Sequence, residues 1–225
     1  MAGADNKQDN AELDAIRARI NEIDAQLQHL INERAKIAQK VGVAKGELAS
    51  AVDYYRPERE AEVLRGVLER NEGPMRDEEM LRLFREIMSA CLALEKPLNI
   101  AFLGPEGTFT QAAALKHFGH SVKTLPLGSI ADVFREVESG SCDYGVVPVE
   151  NSTEGVVSHT LDLFITSPLS ISGEVILRIH HNLLGRQEAW ARAKTVYSHQ
   201  QSLAQCRRWL DQHLLQARRV AVGSN

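Results

Sequence analysis

With 225 residues, 44% of them hydrophobic and 25% charged, the chain has a globular make-up and room for one large domain or two smaller ones, each able to bury a core. A net charge of −4 without any basic run excludes a general nucleic-acid binder, and no apolar stretch reaches the roughly 18 to 20 residues of a membrane helix. The opening MAGADNKQDNAELD lacks the apolar core of a signal peptide, and Cys91, Cys142 and Cys206 show no C-x-x-C spacing, so a cytoplasmic protein with reduced thiols and no zinc site is expected.

The chain changes character at Pro97. Residues 1–96 hold five glycines and read as long helices, whereas ten glycines follow and short apolar runs alternate with helical patterns. Proline disfavours helix at Lys96, and an apolar run begins at Ile100, so the boundary is expected here: an all-helical domain over 1–96 and an α/β domain over 97–225.

In the first domain Leu13, Ile16, Ile20, Ile23, Leu27 and Leu30, then Ile37, Val41, Ala44 and Leu48, follow the three-four alternation of a helix seam. A helix from about Asn10 to Leu48 would run roughly 58 Å at about 1.5 Å per residue. A compact domain of about 100 residues has a radius of gyration near 13 Å, so this helix overhangs its own domain. It needs a partner, most simply a second copy. Two more helices are expected, Arg56 to Glu69 and Arg76 to Leu94, separated by Glu72-Gly73-Pro74.

Arg34 falls where the seam calls for a hydrophobe. A guanidinium there needs an anion, because its desolvation is expensive. Two readings stand: a pair with a carboxylate such as Glu33 or Glu58, or a substrate carboxylate. Lys45, about three turns on, points to nearly the same side as Arg34. Arg17 lies roughly 42 Å from Lys45 along the helix and reaches such a site only from an antiparallel or crossed partner. Each of these two, taken alone, is also an ordinary surface charge.

Leu13 to Lys45, with Arg17, Glu33-Arg34 and Val41-Gly42-Val43-Ala44-Lys45, resembles the all-helical class of chorismate mutases. Tyr55-Arg56-Pro57-Glu58-Arg59-Glu60 and Arg82-Leu83-Phe84 extend the resemblance over essentially all of residues 11–96. It implies an intertwined homodimer through the first helix. It also implies that Arg17 of the other subunit, Arg34 and Lys45 hold the two carboxylates and ether oxygen of chorismate. Glu58 would bind the substrate hydroxyl, and Glu95 would stand in the place of the ether-oxygen donor. The rearrangement to prephenate passes through no covalent enzyme intermediate, so cations and one hydrogen-bond donor suffice, without metal or cofactor. Lys45 and Glu95 are the catalytic candidates. A carboxyl donates only when protonated, so mutase activity is expected to fall as pH rises.

The second domain opens with a short buried strand, Asn99 to Leu103, running into Gly104-Pro105-Glu106-Gly107-Thr108-Phe109-Thr110 and a helix over Gln111 to Phe118. Such a turn either offers backbone N–H groups to an anion or is a tight turn capped by Thr108 or Thr110. A helix capped at Ser129 ends near Gly140. A strand over Asp143 to Val149 leads into Glu150-Asn151-Ser152-Thr153-Glu154-Gly155 and a helix to about Phe164. Both loops would open on one edge of the sheet, where open α/β sheets bind ligands. Ile171 to Leu184 reads as strand-like, Thr195 to Tyr197 as strand, Ser202 to Leu214 as helix and Arg219 to Val222 as strand.

Gly-Pro-Glu-Gly-Thr-Phe-Thr, Val-Pro-Val-Glu-Asn-Ser-Thr-Glu-Gly and Tyr197-Ser198-His199-Gln200-Gln201 with Gln205-Cys206 together closely resemble prephenate dehydratase, with glutamine at 200 where the family usually has proline. The resemblance implies two α/β lobes around a cleft, like type II periplasmic binding proteins. Thr108, Thr110, Glu150, Asn151, Ser198 and Gln205 would line that cleft for prephenate. The family's Thr-Arg-Phe motif, which carries its central threonine, is absent from this sequence. The domain is therefore expected to be incomplete, its dehydratase activity weak or lost and the mutase retained. A contrasting reading is a non-catalytic dimeric helical module carrying a small-molecule-binding lobe, with its arginines paired internally.

Overall fold

The computed structural model describes residues 2–48, 55–151, 155–186 and 189–223, with side chains for all of these except 2–9, 45–48 and 189. Helix α1 (Ala2–Leu48) is 47 residues long. It begins earlier than the apolar pattern predicts. Residues 2–9 carry no seam, but they contain no proline to halt the ladder. Helix α2 (Pro57–Glu69) starts on proline with Glu58 and Glu60 in its first turn, and α3 (Asp77–Ala93) starts on Asp77, Glu78 and Glu79. Both arrangements suit an N-terminus, where proline loses no hydrogen bond and acids meet the dipole. Asn71 bridges the break by donating to Met75 O (3.1 Å) and Asp77 Oδ1 (2.6 Å). Helix α3 packs on both α2 and α1. The seam of α1 stays open: Leu13, Ile16, Ile20, Ile23, Leu27, Leu30, Ile37 and Val41 are each 41–58% exposed.

The α/β region is a parallel sheet in the order β2 (Lys123–Leu127), β1 (Asn99–Leu103), β3 (Tyr144–Val146). Successive β1 side chains point to opposite faces. Ile100 meets Ala114 and Phe118 of α4 (Phe109–Phe118), while Ala101 meets Val133 of α5 (Ile130–Glu138). Strand β2 is absent from the sequence-based expectation because Pro126 weakens its strand signal; at a sheet edge that proline is tolerated. Ser129 caps α5 as expected, accepting from Asp132 N at 3.1 Å. A two-stranded antiparallel pair, β4 (Glu150–Asn151) and β5 (Gly155–Val156), precedes α6 (Ser158–Thr166). Ser152, Thr153 and Glu154 lie outside the described residues.

Ile171 to Leu184 is not a strand. Apolar alternation asks for a sheet, but ladder hydrogen bonds need a neighbour, and none pairs with this stretch among the described residues. Ile171, Ile176 and Leu184 are 71%, 76% and 89% exposed. Point contacts hold the stretch instead: Lys116 Nζ donates to Ile176 O at 2.8 Å, and Gly173 lies against the His117 ring. A last unit pairs β6 (Thr195–Ser198) in parallel with β7 (Arg218–Ala221). The single helix expected between them is two, α7 (Gln200–Gln205) and α8 (Arg207–His213), because Cys206 at φ −90°, ψ 3° leaves helical geometry. Val196, Leu210, Leu214 and Ala217 form its core.

The helical and α/β regions share a core. Tyr55 is buried with Leu98, Ile100, Ala114 and Phe118, and Leu92 packs against them. Beside this, His120 gives Glu86 its backbone N–H (3.1 Å) and its ring Nδ1–H (2.7 Å). A Cβ on Gly119, whose φ is +78°, would lie 2.5 Å from Ser89 Cβ, so α3 and α4 touch backbone to side chain. Among the described residues no helix is long and apolar enough to cross a membrane.

Candidate active sites

The first cluster forms where α1 meets the end of α3. Gly42 is buried on α1, and a Cβ there would lie 2.9 Å from Glu95 Cγ and 3.0 Å from Glu95 Oε2. Only a residue without a side chain lets the carboxyl of Glu95 lie this close to the helix, and Oε2 is buried there. Gly42 belongs to the quoted Val41-to-Lys45 motif, yet periodicity alone treats it as a gap. Arg34, two turns earlier on α1, is half-buried, and no carboxylate of the described residues is within ion-pair distance of it. Of the two readings of Arg34, the pair with Glu33 or Glu58 is therefore not formed.

The Lys45 backbone continues α1 one turn past Gly42, but its side chain is outside the described residues. Glu58 is exposed in the first turn of α2. Arg17 is exposed and bonds Asp14 at 3.4 Å. About 38 Å of helix separate it from Gly42, so one chain does not bring Arg17 to Glu95. Nearby, Glu60 sits between Arg85 (3.4 Å) and the Tyr55 phenol; burial and then the Glu60 charge push that phenol far above its usual range.

The second cluster lies at the N-terminus of α4. Thr108 caps the helix: its Oγ1 accepts from Gln111 N (3.4 Å) and donates to Leu103 O (3.2 Å), while Gln111 Oε1 accepts from Gly107 N (2.7 Å). Of the two readings of this turn, the cap is formed. Thr110 is half-buried in the first turn, Glu150 is exposed on β4, and Ser198 is half-buried at the end of β6. Asn151 and Gln205, 54 residues apart, are brought together: Gln205 Nε2 donates to Asn151 Oδ1 at 3.1 Å. Gln205 Oε1 in turn bonds His181 Nε2, and the His181 ring stands edge-on to Phe109 with centroids 6.4 Å apart.

His181 is absent from the residues singled out in the sequence. It lies within the stretch read as strand, where the polar trio His180-His181-Asn182 breaking the apolar alternation is the only signal. Beside Gln205 a shallow hollow of about 480 Å³ is bordered by Arg207, Arg208 and Asp211. A cavity of about 300 Å³, lined by Arg85, Lys116, His117 and Glu174, lies instead at the junction of the helical and α/β regions.

Comparison with known proteins matches the two regions of the chain to families. Residues 100–225 match the prephenate dehydratase family model, and residues 16–96 match chorismate mutase type II. The chain belongs to the prephenate dehydratase family, with a chorismate mutase region ahead of the dehydratase region. A bifunctional chorismate mutase/prephenate dehydratase of Stutzerimonas stutzeri is 57% identical over 218 residues, covering 95% of this chain and 60% of that protein. The protein of the same name from Pseudomonas aeruginosa is 56% identical over 221 residues, covering 96% and 60%. The chain thus spans about 60% of the length of these curated relatives. The crystal structure of a prephenate dehydratase from Arthrobacter aurescens in complex with L-Phe is 33% identical, with a TM-score of 0.44 over 56% of this chain and 43% of that one.

Proposed function

We propose that residues 1–96 form a domain that rearranges chorismate to prephenate, and that residues 97–225 belong to a domain that dehydrates prephenate to phenylpyruvate, in phenylalanine biosynthesis in the cytoplasm. The observation that carries the first half is the seating of Glu95 against Gly42, one helical turn before Lys45. It sets a carboxyl just past the C-terminal end of α3 against the same end of α1 that carries a half-buried cation, Arg34. Arg34 and Lys45 bind the substrate carboxylates and stabilise charge growing on the ether oxygen; protonated Glu95 donates to that oxygen; Glu58 takes the hydroxyl. Arg17 comes from a second copy, and the open seam of α1 supports a homodimer through this helix.

In the second half Thr108, Thr110, Glu150, Asn151, Ser198 and Gln205 line a cleft for prephenate between two lobes arranged as in type II periplasmic binding proteins. The Asn151–Gln205 bond, tying β4 to α7, supports this reading. Dehydratase turnover by these 225 residues is weak or absent. The test is a paired assay on the purified chain, following chorismate loss and then phenylpyruvate formation from prephenate. Mutase turnover alone is the expected result. Phenylpyruvate as well would place the acid chemistry within these residues, and neither activity in a folded dimer would favour a binding module.

A further inference from the structure

We infer that His181 is a positioning residue of the prephenate site, holding the Gln205 amide in one of its two orientations and Asn151 with it. The inference rests on the dehydratase reading above. Four segments far apart in the chain converge through single contacts: the N-terminus of α4 through Phe109, the 167–186 connection through His181, α7 through Gln205 and β4 through Asn151. His181, Gln205 and Asn151 are all half-buried, so water competes for these bonds less than at an open surface.

The polarity of the chain follows from the chemistry of a primary amide, which donates only through nitrogen and accepts only through oxygen. Gln205 spends its nitrogen on Asn151 Oδ1, and its oxygen faces His181 Nε2. That oxygen can only accept, so His181 Nε2 carries the proton. Either the Nε2–H tautomer or the imidazolium meets this requirement. Phe109, edge-on to the imidazole, fixes the ring plane and lies between Thr108 and Thr110. One histidine therefore ties the threonine loop to the Asn151–Gln205 pair. Without it the Gln205 amide is free to turn over, exchanging donor for acceptor toward a ligand carboxylate.

The test uses the 225-residue chain in two arms. Side-chain ¹H–¹⁵N NMR at neutral pH is expected to show a protonated His181 Nε2, a signal lost in His181→Phe. An unprotonated Nε2 overturns the inference whether or not prephenate binds. In calorimetric titration with prephenate, His181→Phe, which keeps the ring against Phe109, is expected to weaken binding roughly tenfold, the scale of one hydrogen bond. His181→Gln, whose amide can donate from the Nε2 position, should restore affinity to within about threefold. Unchanged affinity in His181→Phe, or equal weakening by both variants with circular dichroism unchanged, overturns it. An unmutated chain that has the Nε2 proton yet binds no prephenate sinks the substrate reading instead, and the hydrogen-bond assignment is then decided by NMR alone.

Discussion

Along β1, Ile100, Ala101 and Phe102 are 0% exposed, whereas the eight seam residues of α1 each leave about half their surface to solvent. The helix carries an apolar stripe at three-to-four spacing, and the strand a continuous apolar run that must be covered on both faces. The strand finds its partners within the chain, with α4 on one face and α5 on the other. Among the described residues the helix does not, and α3 lies beside its C-terminal part. Periodicity therefore says which face must be covered and leaves open what covers it. Covering the seam would contribute on the order of 10 kcal/mol at roughly 25 cal/mol per Å², a large stake for a domain stable by about 5 to 15 kcal/mol.

This contrast can be broken at four points. Phe102→Ala empties a closed site and should cost about 3–5 kcal/mol in chemical denaturation, at any protein concentration. Arg34→Ala should lower mutase turnover about 10²- to 10³-fold, the scale of losing a donor that meets transition-state charge, while sedimentation shows the same assembly. A lost dimer with retained turnover per folded site would make Arg34 structural. Ile20→Ala should cost about 2–3 kcal/mol if a second copy buries the seam, with a midpoint that moves with protein concentration. In a chain that stays alone the cost would be below about 0.5 kcal/mol.

The smallest effect is at His117, in the junction between the two regions. Burial holds its pKa below the ordinary 6.5; Glu60 pulls it upward and Arg85 downward. The folded chain then binds this proton less readily than the unfolded one. Stability is full above about pH 6.5 and is lost as pH falls from there toward the depressed folded value. Urea midpoints at pH 7.5 and 5.5 should differ less in His117→Gln than in the unmutated chain. An identical difference in both would show that His117 does not set the slope.

What the sequence disclosed tracks how local the cause is. The Ser129 cap, the strand at Asn99 and the break at Gly73-Pro74 each rest on neighbours within a few residues, and all were legible. Strand β2 was hidden because Pro126 weakens its signal and only the sheet's edge geometry permits it. Ile171 to Leu184 misled because alternation without a pairing neighbour gives extended chain, not sheet. At the sites, Asn151 and Gln205 were named from a motif resemblance, but their bond spans 54 residues and no spacing rule reports it. His181 and the spacer role of Gly42 became visible only once separate segments had met. Neither has a local signature, since one is a contact across chain segments and the other is an absence of side chain.

The ring of Tyr55 stands 5.5 Å from Phe118 and 5.3 Å from Tyr144, on the far side of Pro97 from both. A scalpel placed where composition changes would therefore cut through a core and not through a tether. An α/β half excised at Pro97 would lose an aromatic wall of its own interior and present Phe118 and Tyr144 to water. Two catalytic names can be written along this sequence in tandem, yet its packing is not modular at the point where the text divides.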